Sequence, residues 1–190
     1  MGIDAKKMLV GAPDQSPTTG AVQYADTTAT LPTDATTAAQ GFTSGGFVSE
    51  DGLVLNVSYS TKKIRDWSKK SRRTLLEEFT CEVTFTFAQT DYDTLVAIFG
   101  ESNVSRSGDK IHVAIGSELP PARAWVFNMK DGEDKARLCL QNAQPVLDGD
   151  IAFVADEPIK WPLRLSCDAG TDGKAAHIYV DDATTTTTGA

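Results

Sequence analysis

Between residues 79 and 87 the chain alternates without a break, with Phe79, Cys81, Val83, Phe85 and Phe87 on one parity and Thr80, Glu82, Thr84 and Thr86 on the other. Successive side chains of a strand point to opposite faces, so this period of two requires a β-strand with one apolar and one wet face. Such a strand needs a sheet whose apolar face is covered, and antiparallel sheets commonly provide one. The pattern recurs at Leu53, Leu55, Val57 and Tyr59, interleaved with Val54, Asn56 and Ser58. Further strands are expected over residues 110–115, 123–129, 135–141, 151–154, 161–167 and 176–180, with Asp131-Gly132 as a strong hairpin signal.

One helix interrupts the strands. Thr90-Asp91-Tyr92-Asp93 resembles a capping box with Asp in place of Glu, and Leu95, Val96, Ile98 and Phe99 follow before Gly100 stops the run. Its apolar side should lie flat on the sheet. Residues 11–46 are rich in Thr, Ala, Gly, Pro and Asp and read as a long arm or loop, with a short helical turn over 34–39 capped by Thr33. Loops of that length are usually functional, which points to contact with another chain. The expected architecture is mainly β, an antiparallel β-sandwich or half-barrel with one short α-helix packed on it and long loop segments. Residues 1–20 would form an N-terminal arm and 21–182 a single β domain with long loops at 25–47 and 60–75. Residues 183–190 would form a flexible C-terminal tail.

The composition, 41% hydrophobic and 23% charged, is ordinary for a soluble globular protein. No apolar run approaches the roughly 18 residues that span a bilayer, and the first residues lack the apolar stretch of a signal peptide. Lys6 stands where a myristoylation signal needs Ser or Thr. No membrane insertion is expected, and synthesis in a cytoplasm is. The formal net charge is -8, unevenly placed: residues 62–73 (KKIRDWSKKSRR) hold seven cations and one acid, and the remainder is acidic. An acidic body repels phosphate, which argues against nucleic-acid binding by the whole surface. The basic segment could bind a nucleic acid through its cations and Trp67. It could also dock on the acidic face of a neighbouring copy, head to tail, and this reading is preferred because the chain itself supplies the opposite charge.

Catalytic signatures are missing. His112 and His177 alternate with apolar neighbours and are expected on wet strand faces, without a G-x-S-x-G elbow to accompany them. Cys81, Cys139 and Cys167 have no C-x-x-C spacing and read as small core residues. Glycine-rich residues 41–52 lack the ending of a phosphate loop, and the acidic clusters fall at turns without calcium-loop spacing. No catalytic residue, metal ligand or cofactor is expected.

Two stretches carry a family likeness. The run TLPTDATTA at residues 30–38, followed by GFVSEDGL at 46–53, resembles the N-terminal part of major tail tube proteins of siphophages, the long non-contractile-tailed bacteriophages. Leu140-Gln141-Asn142-Ala143-Gln144, Ile151-Ala152-Phe153, Trp161-Pro162-Leu163 and residues 173–182 resemble their C-terminal strands. The likeness follows the chain in order but departs from the family in the basic segment and at Trp161-Pro162. It implies a structural, non-enzymatic virion protein, a β-sandwich subunit that closes into hexameric rings. The rings would stack into a hollow tail tube for delivery of genomic DNA. Its partners would be further copies of itself and the tape measure, tail terminator and distal tail proteins, assembled in the host cytoplasm, with double-stranded DNA passing transiently and without sticking. In that frame Lys62, Lys63, Arg65, Trp67, Lys69, Lys70, Arg72 and Arg73 are expected at contacts between subunits or rings. Asn56, Ser58, Glu82, Thr84 and Thr86 are expected to face the lumen. The rival is a β-sandwich binding or adhesion module for carbohydrate or a cell surface, which would need an aromatic platform built from Trp67, Trp125 or Trp161.

Overall fold

The alternation at residues 79–87 appears in the computed structural model as the inner half of a long strand, with Cys81, Val83, Phe85 and Phe87 buried. The structure describes residues 8–14 and 20–181, so parts of the expected N-terminal arm and the whole expected tail at 183–190 lie outside the described residues. In chain order come β1 (Ala12–Pro13), β2 (Val22–Ala25), β3 (Thr43–Gly46), β4 (Val48–Arg65) and β5 (Ser71–Phe87). Then follow α1 (Tyr92–Phe99), β6 (Val104–Ser107), β7 (Lys110–Val113), β8 (Arg123–Asp131), β9 (Asp134–Leu147), β10 (Trp161–Asp168) and β11 (His177–Asp181). The strands form one antiparallel sheet in the order β3-β2-β8-β9-β10-β5-β4, with β1 added to β8 and β11 to β9. Strands β6 and β7 pair separately.

The sheet folds over on itself. Neighbouring strands lie roughly 4.8 Å apart, so three steps from β5 to β8 would separate their side chains by roughly 14 Å in a flat sheet. Phe85 of β5 instead meets Phe127 of β8 edge-on with ring centroids 5.3 Å apart, and Trp125 at 6.0 Å. Two layers therefore face each other across these rings, as in a β-sandwich. Along the way Leu138, Cys139 and Leu140 of β9 are all buried, because Leu138 and Leu140 face the core and residues 27–37 cover the opposite face, with the Cys139 thiol 3.9 Å from the Pro32 carbonyl.

Helix α1 closes one side, burying residues 94–99. Its N-cap is Asp91, one residue later than the expected Thr90, and the Thr94 amide donates to the Asp91 carboxylate at 2.8 Å. Thr90 is otherwise engaged, its hydroxyl accepting the Trp161 indole N–H at 2.9 Å. Gly100 ends the helix at φ 82°, where a Cβ would also stand 2.9 Å from Pro121 Cδ.

Four expectations are corrected. Residues 34–39 form no helix: the Asp34 carboxylate, not Thr33, caps a local turn by accepting from the amides of Thr36 and Thr37. Such side-chain-to-backbone bonds compete with a helix. Residues 25–47 are not one loop, since they include β3, paired to β2. Residues 151–154 form no strand, and Phe153 and Val154 stand exposed and unpaired to the sheet. Residues 60–75 are strand rather than loop except at the turn over 66–70, because the pairing of β4 with β5 continues outward to Arg65↔Ser71.

Phe85→Ala removes the ring that joins the layers and should cost about 3–5 kcal/mol in denaturant unfolding. Phe79→Ala, the same change where the side chain is 42% exposed, should cost about 1 kcal/mol.

Candidate assembly interface

Strand β10 pairs with β5 only from Phe87 to Glu82. Outward from Cys81, β5 has a single neighbour in β4, and the two continue as a two-stranded ribbon to Arg65 and Ser71. All of residues 56–65 and 71–80 are exposed except half-buried Leu75. An isolated two-stranded hairpin is marginal in water, and this one carries Tyr59, Ile64, Leu76 and Phe79 exposed to solvent. Only the Tyr59–Phe79 ring pair, 5.1 Å between centroids, covers part of that surface within the ribbon. Apolar side chains gathered on a projection mark a surface made for another protein.

The ribbon's turn, residues 66–70, is built by Asp66. The Asp66 carboxylate accepts from the Ser68 hydroxyl at 2.6 Å, the Lys70 amide at 3.1 Å and Arg72 Nε at 2.7 Å. These bonds, the Ser68 hydroxyl first and then the Arg72 guanidinium, hold the Asp66 carboxyl below its usual pKa. Lys69 takes the left-handed φ of 61° that the turn needs. Trp67 is thrust outward, 102% exposed. Lys62 pairs with Glu77 at 3.6 Å and Arg72 with Asp66, while Lys63, Arg65, Lys69, Lys70 and Arg73 have no ion-pair partner among the described residues. The eight residues singled out from the sequence are thus brought together on one hairpin end.

The five polar residues singled out are also brought to one face. Asn56 pairs opposite Glu82 and Ser58 opposite Thr80, while Thr86, Thr84 and Glu82 lie opposite Pro162, Arg164 and Ser166 of β10. Their shared face is the one turned away from Val83, Phe85 and Leu165. Arg164, which the sequence reading missed, sits at its centre and donates to Glu82 at 2.7 Å, with Asp148 at 3.5 Å on its other side. The sheet path ends at β3 and β4, and the branch strands β1 and β11 likewise have one neighbour each. The outer sides of β4 and β11 therefore carry backbone groups with no further strand beside them among the described residues.

A profile of the phage tail tube protein family matches residues 3–190. The chain belongs to that family. Among curated proteins, no sequence matches it. As a tail tube protein it is a component of the virion tail that assembles with other tail proteins and with itself.

The other residues weighed for chemistry in the tail tube protein are scattered. His112 is exposed on β7. His177 departs from expectation: it is half-buried, 3.0 Å from Asp172 and stacked on Tyr179, while Ile178 and Val180 face outward on β11. The three thiols are buried, and burial pushes each above its usual pKa, Cys139 to about 12. A platform of tryptophans does not form, since Trp125 and Trp161 are buried in the core and only Trp67 is exposed.

Residues 27–37, which overlap the TLPTDATTA run at 30–38, are clamped to β9. Arg137, Cys139 and Gln141 project from the same side of that strand, two residues apart. Arg137 donates to the carbonyls of Asp34 at 2.8 Å and Thr37 at 2.7 Å and, through Nε, to Asn128. Gln141 donates to the carbonyls of Thr27 and Ala29. Hydrogen bonds from the Thr37 hydroxyl and amide, then from the Thr36 amide, lower the Asp34 pKa from its ordinary 3.8 to about 2. A depressed folded pKa means the stabilisation from the Asp34 turn is fully present above about pH 4 and is lost as pH falls through about 2. The Thr36 and Thr37 amide resonances should titrate with a midpoint near that value, and Asp34→Asn should abolish the titration.

Proposed function

We propose that this tail tube protein is a non-enzymatic building block of siphophage type, closing into hexameric rings that stack into a hollow tube through which genomic DNA is delivered to the host. The observation that carries this reading is the ribbon beyond Cys81, a long hairpin whose exposed apolar and basic side chains have no use in an isolated subunit. In a stack, Lys62, Lys63, Arg65, Trp67, Lys69, Lys70, Arg72 and Arg73 meet an adjacent subunit, where apolar contact supplies affinity and charge sets register. Around a ring, the open margins at β4 and β11 pair between copies, which removes two exposed edges and makes a continuous wall.

Asn56, Ser58, Glu82, Thr84 and Thr86 line the lumen in this reading. Arg164 is flanked by Glu82 and Asp148, so its positive charge is offset where DNA passes. A polar face with acidic excess repels phosphate, and the duplex slides without sticking. Assembly takes place in the host cytoplasm with the tape measure, tail terminator and distal tail proteins.

Negative-stain microscopy of the purified protein at rising concentration, alone and with its phage's other tail proteins, should show hollow tubes of stacked rings. Monomers under both conditions would overturn the proposal. Lys69→Glu with Lys70→Glu should raise the protein concentration needed for tubes about tenfold, an effect that shrinks in high salt.

A further inference from the structure

Beside the first residues of β4 lies a groove of about 680 Å³. Its walls include Val22, Phe47, Val48, Leu53, Phe127 and Met129, and Glu50 stands on its rim. The rim is a bulge: β4 pairs Val48 with Phe87 and then Leu53 with Phe85, so residues 49–52 loop out of the ladder. Glu50 and its neighbour Asp51 are exposed there and have no ion-pair partner among the described residues. The site is an apolar trough with an unneutralised acidic lip.

At the far end of the same strand stands its complement, an exposed indole among unpaired cations. From Leu53 to Arg65, β4 spans roughly 40 Å at about 3.3 Å per residue. A hairpin paired along its length up to Arg65↔Ser71, even with the register shifts after Ser60 and Ile64, cannot fold back over that distance onto its own root. Donor and acceptor at opposite ends of one strand are the arrangement from which head-to-tail, non-closing assemblies grow.

We infer that the groove beside Phe47 and Glu50 is the receptor for the hairpin end of a second copy, with Trp67 seated in the trough and Lys69 and Lys70 against Glu50 and Asp51. The inference rests on the tube reading above and names the surface on which one ring meets the next. Tryptophan is the side chain most often found at the energetic centre of such contacts. The groove is roomy enough for an indole, and the tip's excess of cations faces a lip with none of its own. Because the turn is already fixed by Asp66, little freedom is lost when it docks.

The test is a cysteine pair, Trp67→Cys with Phe47→Cys, treated with a short bismaleimide after assembly. The native thiols are buried and stay silent. The double variant should give a ladder of covalent multimers on a denaturing gel, which neither single variant gives. In parallel, Glu50→Lys with Asp51→Lys should lower tube yield at least tenfold, and adding Lys69→Glu and Lys70→Glu to the same chain should restore it. Should loss of Trp67 itself prevent assembly, the charge exchange decides alone, and no restoration overturns the inference. Wild-type tubes with neither ladder nor restoration leave the groove to another occupant, such as the chain's own C-terminal residues, and overturn it while the tube reading stands. Failure of the wild-type chain to form tubes with its tail partners sinks the tube reading instead, and this inference with it.

Discussion

The ring of Phe85 buries against Trp125 and Phe127 across the two layers, with buried Phe87 edge-on beside it, and this contact fixes β5 in one register. A slip of one residue would turn Thr84 and Glu82 into the core and Phe85 into water. With β5 locked at its inner end, every outward residue is also assigned a side and a position. The ribbon is therefore a lever whose far end inherits its direction from the core. Strands β10 and β4 follow, since each pairs with β5 along a ladder that the core has already positioned.

Where one face of a strand is greasy and the other wet, the sequence was sufficient. The β5 alternation, the Asp131-Gly132 hairpin, the β10 run from Trp161 to Cys167 and the apolar side of α1 were all legible. The local signal failed where another force decided the outcome. Strand β2 is buried at every residue from Val22 to Ala25, so its four residues show no alternation to read. Residues 151–154 have the apolar character of a strand but pair with no other strand, and Phe153 and Val154 are left exposed.

The two expected loops were missed for a different reason. Polar side chains in residues 27–37 suggested a free arm, because composition does not reveal that Arg137 and Gln141 would reach out from β9 to bind its carbonyls. Buried Arg137 makes sense only with those acceptors present, since an unpaired buried guanidinium is costly. Basic residues 62–73 looked like a loop because charge dilutes the period of two. The ladder survives there through backbone pairing and the Asp66 turn, neither of which needs apolar side chains. The basic cluster and the polar face proposed as contact and lumen surfaces were picked out by charge and alternation, whereas Arg164 was passed over because one arginine in a strand gives no pattern.

The ribbon's composition also resolves a conflict in the proposed assembly. An exposed hairpin with several apolar residues invites promiscuous edge pairing, and natural edges are commonly blunted with lysine and arginine. Here the same cations that discourage wrong partners also select a right one, because an acidic body of the same sequence is the surface they favour. Repulsion between two hairpins, each with a large excess of positive charge, disfavours tip-to-tip pairing, which would end growth in a closed dimer. In the proposed docking, attraction to an acidic lip at the other end of β4 leaves a free tip and a free groove on every complex, so growth along one axis follows from placing donor and acceptor at opposite ends of one strand.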